Sequence, residues 1–174
     1  LEKRKGILEG VCVTGGEPTL NADLIDFLKK VKAMGYKTKL DTNGTNPDML
    51  IRAVEEKAVD YVAMDIKNSR EKYGLSVGIK NYDTSKIEKS VSILLEDRVD
   101  YEFRTTVVRE FNDKNSFYGV ADLISGAKKY YLQAFKDSGD LIDETLHGLT
   151  REEMEEILPI FDGKVDKIEI RGID

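Results

Sequence analysis

Two adjacent glycines stand before a carboxylate and a proline in the segment VCVTGGEPTL, residues 11–20. The apolar residues ahead of Gly15 and Gly16 favour a β-strand, so the glycines would form a turn at its end. Bare peptide groups at a strand end often hold a phosphate, but the Glu17 carboxylate would repel one. A carboxylate beside exposed backbone carbonyls suits an ammonium group instead. The segment therefore predicts a site for a cationic group.

Polar residues also follow the other strand-like segments, in DTNG at 41–44, MDIK at 64–67, FRTT at 103–106 and YLQAF at 131–135. The carboxyl ends of parallel strands meet at one edge of a sheet, so we expect these residues to line one cavity. The candidate ligand-binding residues are Gly15, Gly16, Glu17, Asp41, Thr42, Asn43, Asp65, Ile66, Lys67, Arg104 and Gln133. Lys67 and Arg104 suit a carboxylate. Together with the ammonium site, they predict a zwitterionic ligand such as an amino acid derivative.

Each of these residues taken alone also has a structural interpretation. A Gly-Gly or Asn-Gly pair is a common turn, Asp65 and Lys67 would form a surface ion pair of small energy, and Arg104 would be a satisfied buried charge. Their convergence on one edge favours a site, because one site explains all of them together.

Strand-like and helix-like segments alternate along the chain. Strands are predicted at 10–14, 36–41, 60–66, 101–108, 129–133 and 165–171, and apolar residues recur with helical spacing between them. The predicted helix boundaries are Asn21 and Gly35 for the first helix, Asn46 for the start of the second, and a capping box of Thr150 and Glu153 for the last.

Repeated βα units predict an α/β fold, a partial (β/α)6 TIM-like barrel with parallel strands, formed as a single domain over residues 1–174. The first ten residues read as the end of a helix that enters strand 10–14. We therefore expect the first βα unit to be missing and the open edge of the sheet to lie at strand 10–14. Segment 67–83 is predicted to be the longest loop, and loops of this length are commonly functional.

Composition excludes several classes of protein. The chain has 27 Lys and Arg against 33 Asp and Glu, for a net charge of −6, which weighs against a nucleic-acid partner. No apolar run reaches the roughly 18 residues of a membrane span. The one cysteine, Cys12, cannot form an intramolecular disulfide, which favours a cytoplasmic protein.

In their order and positions, GGEPTL, DTNG and MDIK resemble the radical S-adenosylmethionine (SAM) enzymes, and most closely the glycyl-radical activating enzymes. Within that family, YEFRTTVV at 101–108 and YYLQAF at 130–135 are similar to the activating protein of anaerobic ribonucleoside-triphosphate reductase. Pyruvate formate-lyase activating enzyme is a related member. The resemblance covers nearly the whole chain.

The resemblance implies roles for the candidate residues. Gly15, Gly16 and Glu17 would hold the methionyl ammonium of SAM. Asp41, Thr42 and Asp65 would lie near the SAM carboxylate and a monovalent cation; Lys67 and Arg104 match basic positions of the same site, and Gln133 matches a polar residue near the adenine. In the family, a 4Fe–4S cluster reduces SAM, and the resulting radical takes a hydrogen atom from a glycine of the partner glycyl-radical enzyme. A flavodoxin or ferredoxin would supply the electron, and the enzyme would be an anaerobic oxidoreductase.

The sequence departs from the family at the cluster. The family carries CxxxCxxC in the loop after its first strand, whereas this chain has only Cys12, in mid-strand, where we expect a buried thiol. We therefore expect an N-terminally truncated chain that has no catalytic residue of its own and is inactive alone. His147, the only histidine, is expected on the surface.

Two other functions stay open. A degenerate barrel would bind a small zwitterion or a protein partner without catalysis. A phosphate-binding barrel enzyme such as an aldolase is disfavoured by Glu17 inside the glycine turn and by the lack of a lysine clearly buried in an apolar strand.

Overall fold

A computed structural model of the chain describes residues 1–136 and 145–173. The described strands are β1 (Gly10–Val13), β2 (Lys37–Thr42), β3 (Tyr61–Asp65), β4 (Asp100–Val107), β5 (Tyr130–Ala134) and β6 (Ile168–Arg171). The α-helices are α1 (Leu24–Ala33), α2 (Pro47–Glu55), α3 (Tyr73–Val77), α4 (Ser85–Leu95), α5 (Lys114–Leu123) and α6 (Arg151–Glu155). Within the described residues, none of these helices has the length and apolar character to cross a membrane.

The strands follow chain order in one open six-stranded sheet, β1-β2-β3-β4-β5-β6. The chain divides into two compact units, of which the first contains residues 1–65 and 85–101 and the second contains residues 66–84 and 102–174. The pairs β1–β2 and β2–β3 are parallel in the first unit, and β4–β5 and β5–β6 are parallel in the second. The order confirms the predicted α/β fold with parallel strands, and β1 stands at one end of it.

In the first unit, alternation along β2 separates a buried face from a polar face. Thr38, Leu40 and Thr42 are buried, while Lys39 and Asp41 between them are partly exposed. The buried core also includes α1, α2 and α4, through Leu28, Leu50, Ala53, Ile87 and Leu94. Burying each large aliphatic side chain contributes about 1.5–3 kcal/mol to folding. This packing fixes which side chains of β2 lie on the polar face.

In the second unit, aromatic side chains form much of the core. Tyr130 of β5 is fully buried, with its ring centroid 4.7 Å from that of Phe161. Its hydroxyl donates to Thr105 Oγ1 at 2.7 Å, and Thr105 Oγ1 donates to the carbonyl of Ile66 at 2.6 Å. Burial raises the pKa of Tyr130 far above its ordinary value, so the phenol stays a neutral donor. The chain of donors fixes the segment after β3 against β4.

Several predicted boundaries are confirmed. Asn46 caps α2 by accepting from the Met49 N–H, and Thr150 with Glu153 forms the predicted capping box of α6. Gly35 has φ 91° just after α1, as a helix-ending glycine requires.

Two boundary predictions are wrong. Asn21 does not cap α1, because Pro18–Leu20 forms a 3-10 turn, and Asn21 ends that turn by donating to the Pro18 carbonyl. Segment 67–83 is not one loop, because it contains helix α3, which Gly78 ends in the left-handed conformation.

Candidate functional site

The glycine turn lies at the carboxyl end of β1. Gly15 has φ 89° and Gly16 has φ 53°, and a Cβ on either would meet nothing within 4 Å. Both residues are exposed. Among the residues that the structure describes, no hydrogen bond engages the peptide groups of either glycine. Glycine adopts these φ angles without strain. Because their peptide groups have no described partner, the turn presents backbone N–H and C=O groups to a ligand.

Glu17 ties this turn to the end of β2. Its Oε1 accepts from the N–H of Thr19 at 3.1 Å, from the Thr19 hydroxyl at 2.5 Å and from the Thr42 hydroxyl at 2.8 Å. Its Oε2 accepts from the Asn43 N–H at 2.6 Å. Thr19 and Thr42 are buried and Glu17 is half-buried. The carboxylate is thus held by four hydrogen bonds from its own chain, and it adds negative charge beside the turn.

Two further hydrogen bonds hold these segments, one between them and one within DTNG. Asn46 Nδ2 donates to the carbonyl of Thr19 at 2.7 Å, and the N–H of Gly44 donates to the Thr42 hydroxyl at 3.1 Å. Gly44 has φ 77°, and a Cβ there would lie 2.1 Å from the Met64 side chain. The positive φ therefore favours glycine at the fourth position of DTNG, and any larger residue there would also require the terminal methyl of Met64 to move.

The polar face of β2 carries a small cluster of titratable groups. Lys39 Nζ lies 3.1 Å from Asp41 Oδ1, and the Cys12 thiol donates to the same oxygen at 3.5 Å. Cys12 is exposed, so the prediction of a buried cysteine is wrong. The reason is its register: Cys12 pairs with Lys39, on the face that carries Lys39 and Asp41 rather than apolar side chains.

The MDIK segment follows β3. Asp65 and Lys67 are both partly exposed. Ile66 between them is fully buried, its N–H donates to the Arg104 carbonyl at 2.8 Å, and its carbonyl accepts from Thr105. The described contacts of Ile66 are therefore structural, and a cofactor contact by this residue remains a prediction.

Two further candidate residues of the second unit, Arg104 and Gln133, lie on β4 and β5. Arg104 and Gln133 are partly exposed, and Gln133 pairs in register with Arg171 of β6. Arg171 makes a double ion pair with the buried Glu102, at 3.0 and 3.3 Å, and its guanidinium lies 3.1 Å from the centroid of the Tyr131 ring. The predicted residues are divided between the two units, so a single cavity containing Glu17, Asp41, Asp65 and Arg104 remains a prediction.

His147 lies on the surface, as predicted, with 67% of its side chain exposed. Its Nδ1 is 2.8 Å from Glu110 Oε1, and its N–H donates to Glu110 Oε2 at 2.9 Å. These backbone and side-chain hydrogen bonds hold the pKa of Glu110 below its ordinary value. The pair anchors a surface segment, and it gives no support to a catalytic histidine.

A cavity of about 530 Å³ in the first unit lies away from the glycine turn. Its lining includes the first residues of four strands, Gly10, Lys37, Tyr61 and Asp100, and also Cys12. It therefore opens at the amino ends of the strands, whereas the predicted ligand site is at their carboxyl ends.

The residues of this chain do not fit a 4Fe–4S cluster. Such a cluster is held by about four ligands, mostly thiolates, and the 174 residues contain one cysteine. That cysteine donates to Asp41, and the described residues contain no group of three or more metal-ligating side chains. The glycine turn, in contrast, fits the ammonium end of SAM, because its carbonyls are open.

Two residues that position the site, Thr19 and Lys39, were not among those predicted from the sequence. Thr19 was missed because its role depends on the turn that Pro18 begins, although a hydroxyl two residues after a carboxylate is a usable signal. Lys39 carries the second such signal, in its spacing from Asp41. Their spacing of two residues in a strand places both on one face.

The strand order and the glycine turn at a strand end describe a parallel α/β domain, and comparison with known families identifies its class. The family model of the Radical SAM superfamily matches residues 1–123. The chain belongs to the radical SAM superfamily, whose members use SAM and a 4Fe–4S cluster.

Individual relatives are consistent with this membership. A protein of Methanocaldococcus jannaschii, provisionally named a glycyl-radical enzyme activating enzyme, is 30% identical over 173 residues, which cover 95% of this chain and 72% of the relative. A 7-carboxy-7-deazaguanine synthase of Koribacter versatilis is 31% identical over 62% of this chain, which spans 46% of that enzyme. A solved domain of pyruvate-formate lyase-activating enzyme from Bacteroides vulgatus has the same fold, with a TM-score of 0.71 at 20% identity, over 94% of this chain and 99% of that domain.

Proposed function

We propose that this chain binds the methionyl end of SAM at the Gly15–Gly16 turn, as part of an enzyme that activates a glycyl-radical enzyme. The observation that carries the proposal is the combination of open glycine peptide groups with a Glu17 carboxylate held by the chain itself. The glycine carbonyls accept hydrogen bonds from the ammonium. The charge of Glu17 favours that ammonium without being its direct ligand.

The other predicted residues complete the proposed site. Asp41 and Thr42 are the last residues of β2 and Asn43 follows them, and Thr42 and Asn43 are joined to the turn through Glu17. Asp65, Lys67 and Arg104 serve the carboxylate end of SAM, and Gln133 serves the adenine. The residues of this chain bind and orient SAM, whereas formation of a radical needs cluster ligands that these 174 residues do not contain.

The proposed partner is a glycyl-radical enzyme of the anaerobic ribonucleotide reductase or pyruvate formate-lyase type. The support is the match over 95% of the chain to the M. jannaschii relative. A flavodoxin or ferredoxin is the proposed electron donor, and the proposed location is the cytoplasm, without a nucleic-acid or membrane partner.

SAM binding to the chain tests the site, measured by titration calorimetry with matched glycine variants. Gly15→Ala and Gly35→Ala place the same strained residue at φ 89° and φ 91°, each with open space around the new Cβ. Both changes are expected to destabilise the fold by about 1 kcal/mol. Only Gly15→Ala is expected to weaken SAM binding, by about tenfold, or 1.4 kcal/mol. Equal losses in both variants, or no SAM binding by the unchanged chain, would contradict the proposed site.

The partner is tested separately, by biolayer interferometry with purified pyruvate formate-lyase and anaerobic ribonucleotide reductase. We expect one of them to bind the immobilised chain. If SAM binds but neither enzyme does, the activating role is wrong and the SAM site stands. Anaerobic reconstitution with iron and sulfide is expected to leave the chain without a stoichiometric cluster and without deoxyadenosine formation, and stoichiometric iron would overturn the ligand count.

A further inference from the structure

Two of the three residues predicted to bind a monovalent cation, Asp41, Thr42 and Asp65, already have partners within the chain. Asp41 Oδ1 already has the Lys39 ammonium at 3.1 Å and the Cys12 thiol at 3.5 Å. The Thr42 hydroxyl donates its one proton to Glu17 and accepts from the Gly44 N–H. A mobile cation at these residues would therefore compete with groups of the chain itself, above all with the Lys39 ammonium at Asp41 Oδ1.

We propose that the ammonium of Lys39 is a built-in replacement for this cation, which makes the site independent of Na⁺ and K⁺. The inference rests on the proposed function for its link to SAM. A lysine ammonium carries the same single positive charge as either ion, and its distance of 3.1 Å to a carboxylate oxygen is that of a direct ion pair.

Burial and strand geometry support a fixed position for this charge. Lys39 and Asp41 are two residues apart in β2, so both side chains lie on its polar face. The Asp41 side chain is only 14% exposed and the Lys39 side chain is 35% exposed. A carboxylate so little exposed favours a nearby cation strongly. The strand on both sides of the pair is held by its neighbours β1 and β3, which limits the movement of the lysine stem.

Lys37 provides a matched control in the same strand. It lies two residues before Lys39 on the same face and is exposed. Lys37 and Asp41 are each two residues from Lys39 in the sequence. No ion pair among the described residues involves the Lys37 side chain. Loss of the Lys37 charge therefore changes the net charge of the face without uncovering Asp41.

Thermal unfolding in different chloride salts tests the proposal without SAM. The chain, Lys39→Gln and Lys37→Gln are melted in NaCl, KCl and tetramethylammonium chloride at an ionic strength of about 0.1 M. We expect Lys39→Gln alone to melt about 2–4 °C lower in tetramethylammonium than the unchanged chain, and Na⁺ or K⁺ to restore at least half of that loss. Broadening of the ²³Na resonance by Lys39→Gln, and not by the unchanged chain, is the direct readout. Lys39→Arg, which keeps the charge, should behave as the unchanged chain.

Three results would overturn the proposal: selective stabilisation of the unchanged chain by Na⁺ or K⁺, no such stabilisation of Lys39→Gln, or an equal effect in Lys37→Gln. A second arm measures SAM affinity in the same salts and should be insensitive to the cation in the unchanged chain and dependent on it in Lys39→Gln. If the unchanged chain binds no SAM, the proposed function fails while the melting arm still decides the role of Lys39.

Discussion

The glycine turn of the first unit and the charged pairs of the second unit differ in which polar groups are engaged within the chain. At the turn, the side chains are satisfied and the backbone is open: Glu17 takes four hydrogen bonds, while no described partner engages the peptide groups of Gly15 and Gly16. In the second unit, the side chains close on one another in pairs, as Arg171 does with Glu102 and Arg109 with Glu153.

The difference shows where a ligand is expected to gain most. Side chains that already have partners offer a ligand less, because it must displace an existing bond. Open peptide groups at a rigid turn offer hydrogen bonds without such displacement and with little loss of conformational freedom. Charge alone is therefore a poor guide to the site, since the second unit has conspicuous charges that stabilise its own fold.

Removing the carboxylate of Glu17 should have the largest effect. Glu17→Ala leaves the buried hydroxyls of Thr19 and Thr42 and the N–H of Asn43 without their acceptor. We expect a loss of about 3 kcal/mol in the free energy of unfolding, because each bond to a charged group is worth about 1.5–3 kcal/mol and the losses overlap. Urea unfolding measures it.

Glu17 could favour SAM binding in two ways, by holding the turn through its hydrogen bonds or by binding the ammonium directly. A double-mutant cycle distinguishes these two roles. Thr42→Val removes one donor to Glu17 and the acceptor of the Gly44 N–H, and it changes no charge. If Glu17 acts by holding the turn, Thr42→Val also weakens SAM binding and adds little to the effect of Glu17→Gln. If the losses of SAM-binding free energy in the two variants add, or if Thr42→Val keeps full SAM affinity, the Glu17 hydrogen bonds do not position the turn.

Removing the ion pair of Arg171 with Glu102 should have an intermediate effect on the free energy of unfolding. Arg171→Ala removes two ion-pair contacts to Glu102 and the stacking on Tyr131. Glu102 is buried, but the Arg171 side chain is 42% exposed, so we expect a loss of about 2 kcal/mol rather than the larger value of a fully buried pair. Arg171→Lys should recover part of it, since it keeps the charge but not the planar fork. Lys167 is the control, because it forms an exposed ion pair with Glu169. If Arg171→Ala lowers the free energy of unfolding no more than Lys167→Ala does, the second unit does not depend on the Arg171–Glu102 pair.

Much of the fold could be predicted because local signals agreed with it. Apolar runs ending in turn residues gave all six described strands to within three residues, and capping residues gave the starts of α2 and α6. Cys12 was predicted wrongly because a strand's apolar residues do not reveal which of its faces is covered. Asn21 was predicted wrongly because a proline three residues earlier began a separate turn.

The candidate site could be predicted at its backbone but not in its hydrogen bonds. Gly15 and Gly16 were recognisable because few residues other than glycine adopt their angles. The Glu17 bonds to Thr42 and Asn43 span 25 and 26 residues, and they exist only once β1 and β2 are paired. The Lys39–Asp41 pair is local, and the alternation of strand faces alone would have predicted it.

The smallest expected effect concerns Asp113, the N-cap of α5 and another closed charge of the second unit. Its carboxylate accepts from Lys72 and from the N–H and hydroxyl of Ser116, and these bonds, with that from Lys72 the strongest, lower the pKa of Asp113 from 3.8 to about 2. The folded protein therefore binds fewer protons here than the unfolded chain. The contribution of Asp113 is complete above pH 3.8 and is lost as the pH falls toward about 2.

Asp113→Asn keeps a good cap but no charge, so we expect it to remove this part of the acid dependence and little stability at neutral pH. Asp113→Ala also removes the cap and should lose about 1 kcal/mol at neutral pH. Urea midpoints measured from about pH 5 down to about pH 2, a range that spans both pKa values of Asp113, check both expectations. Asp122→Asn is the matched control, because Asp122 lies in the same helix and pairs with Lys164 but caps nothing. An acid dependence in Asp113→Asn as steep as in the unchanged chain would show that Asp113 is not held by Lys72 in solution, and that the charges of the second unit are less closed than those around Glu17.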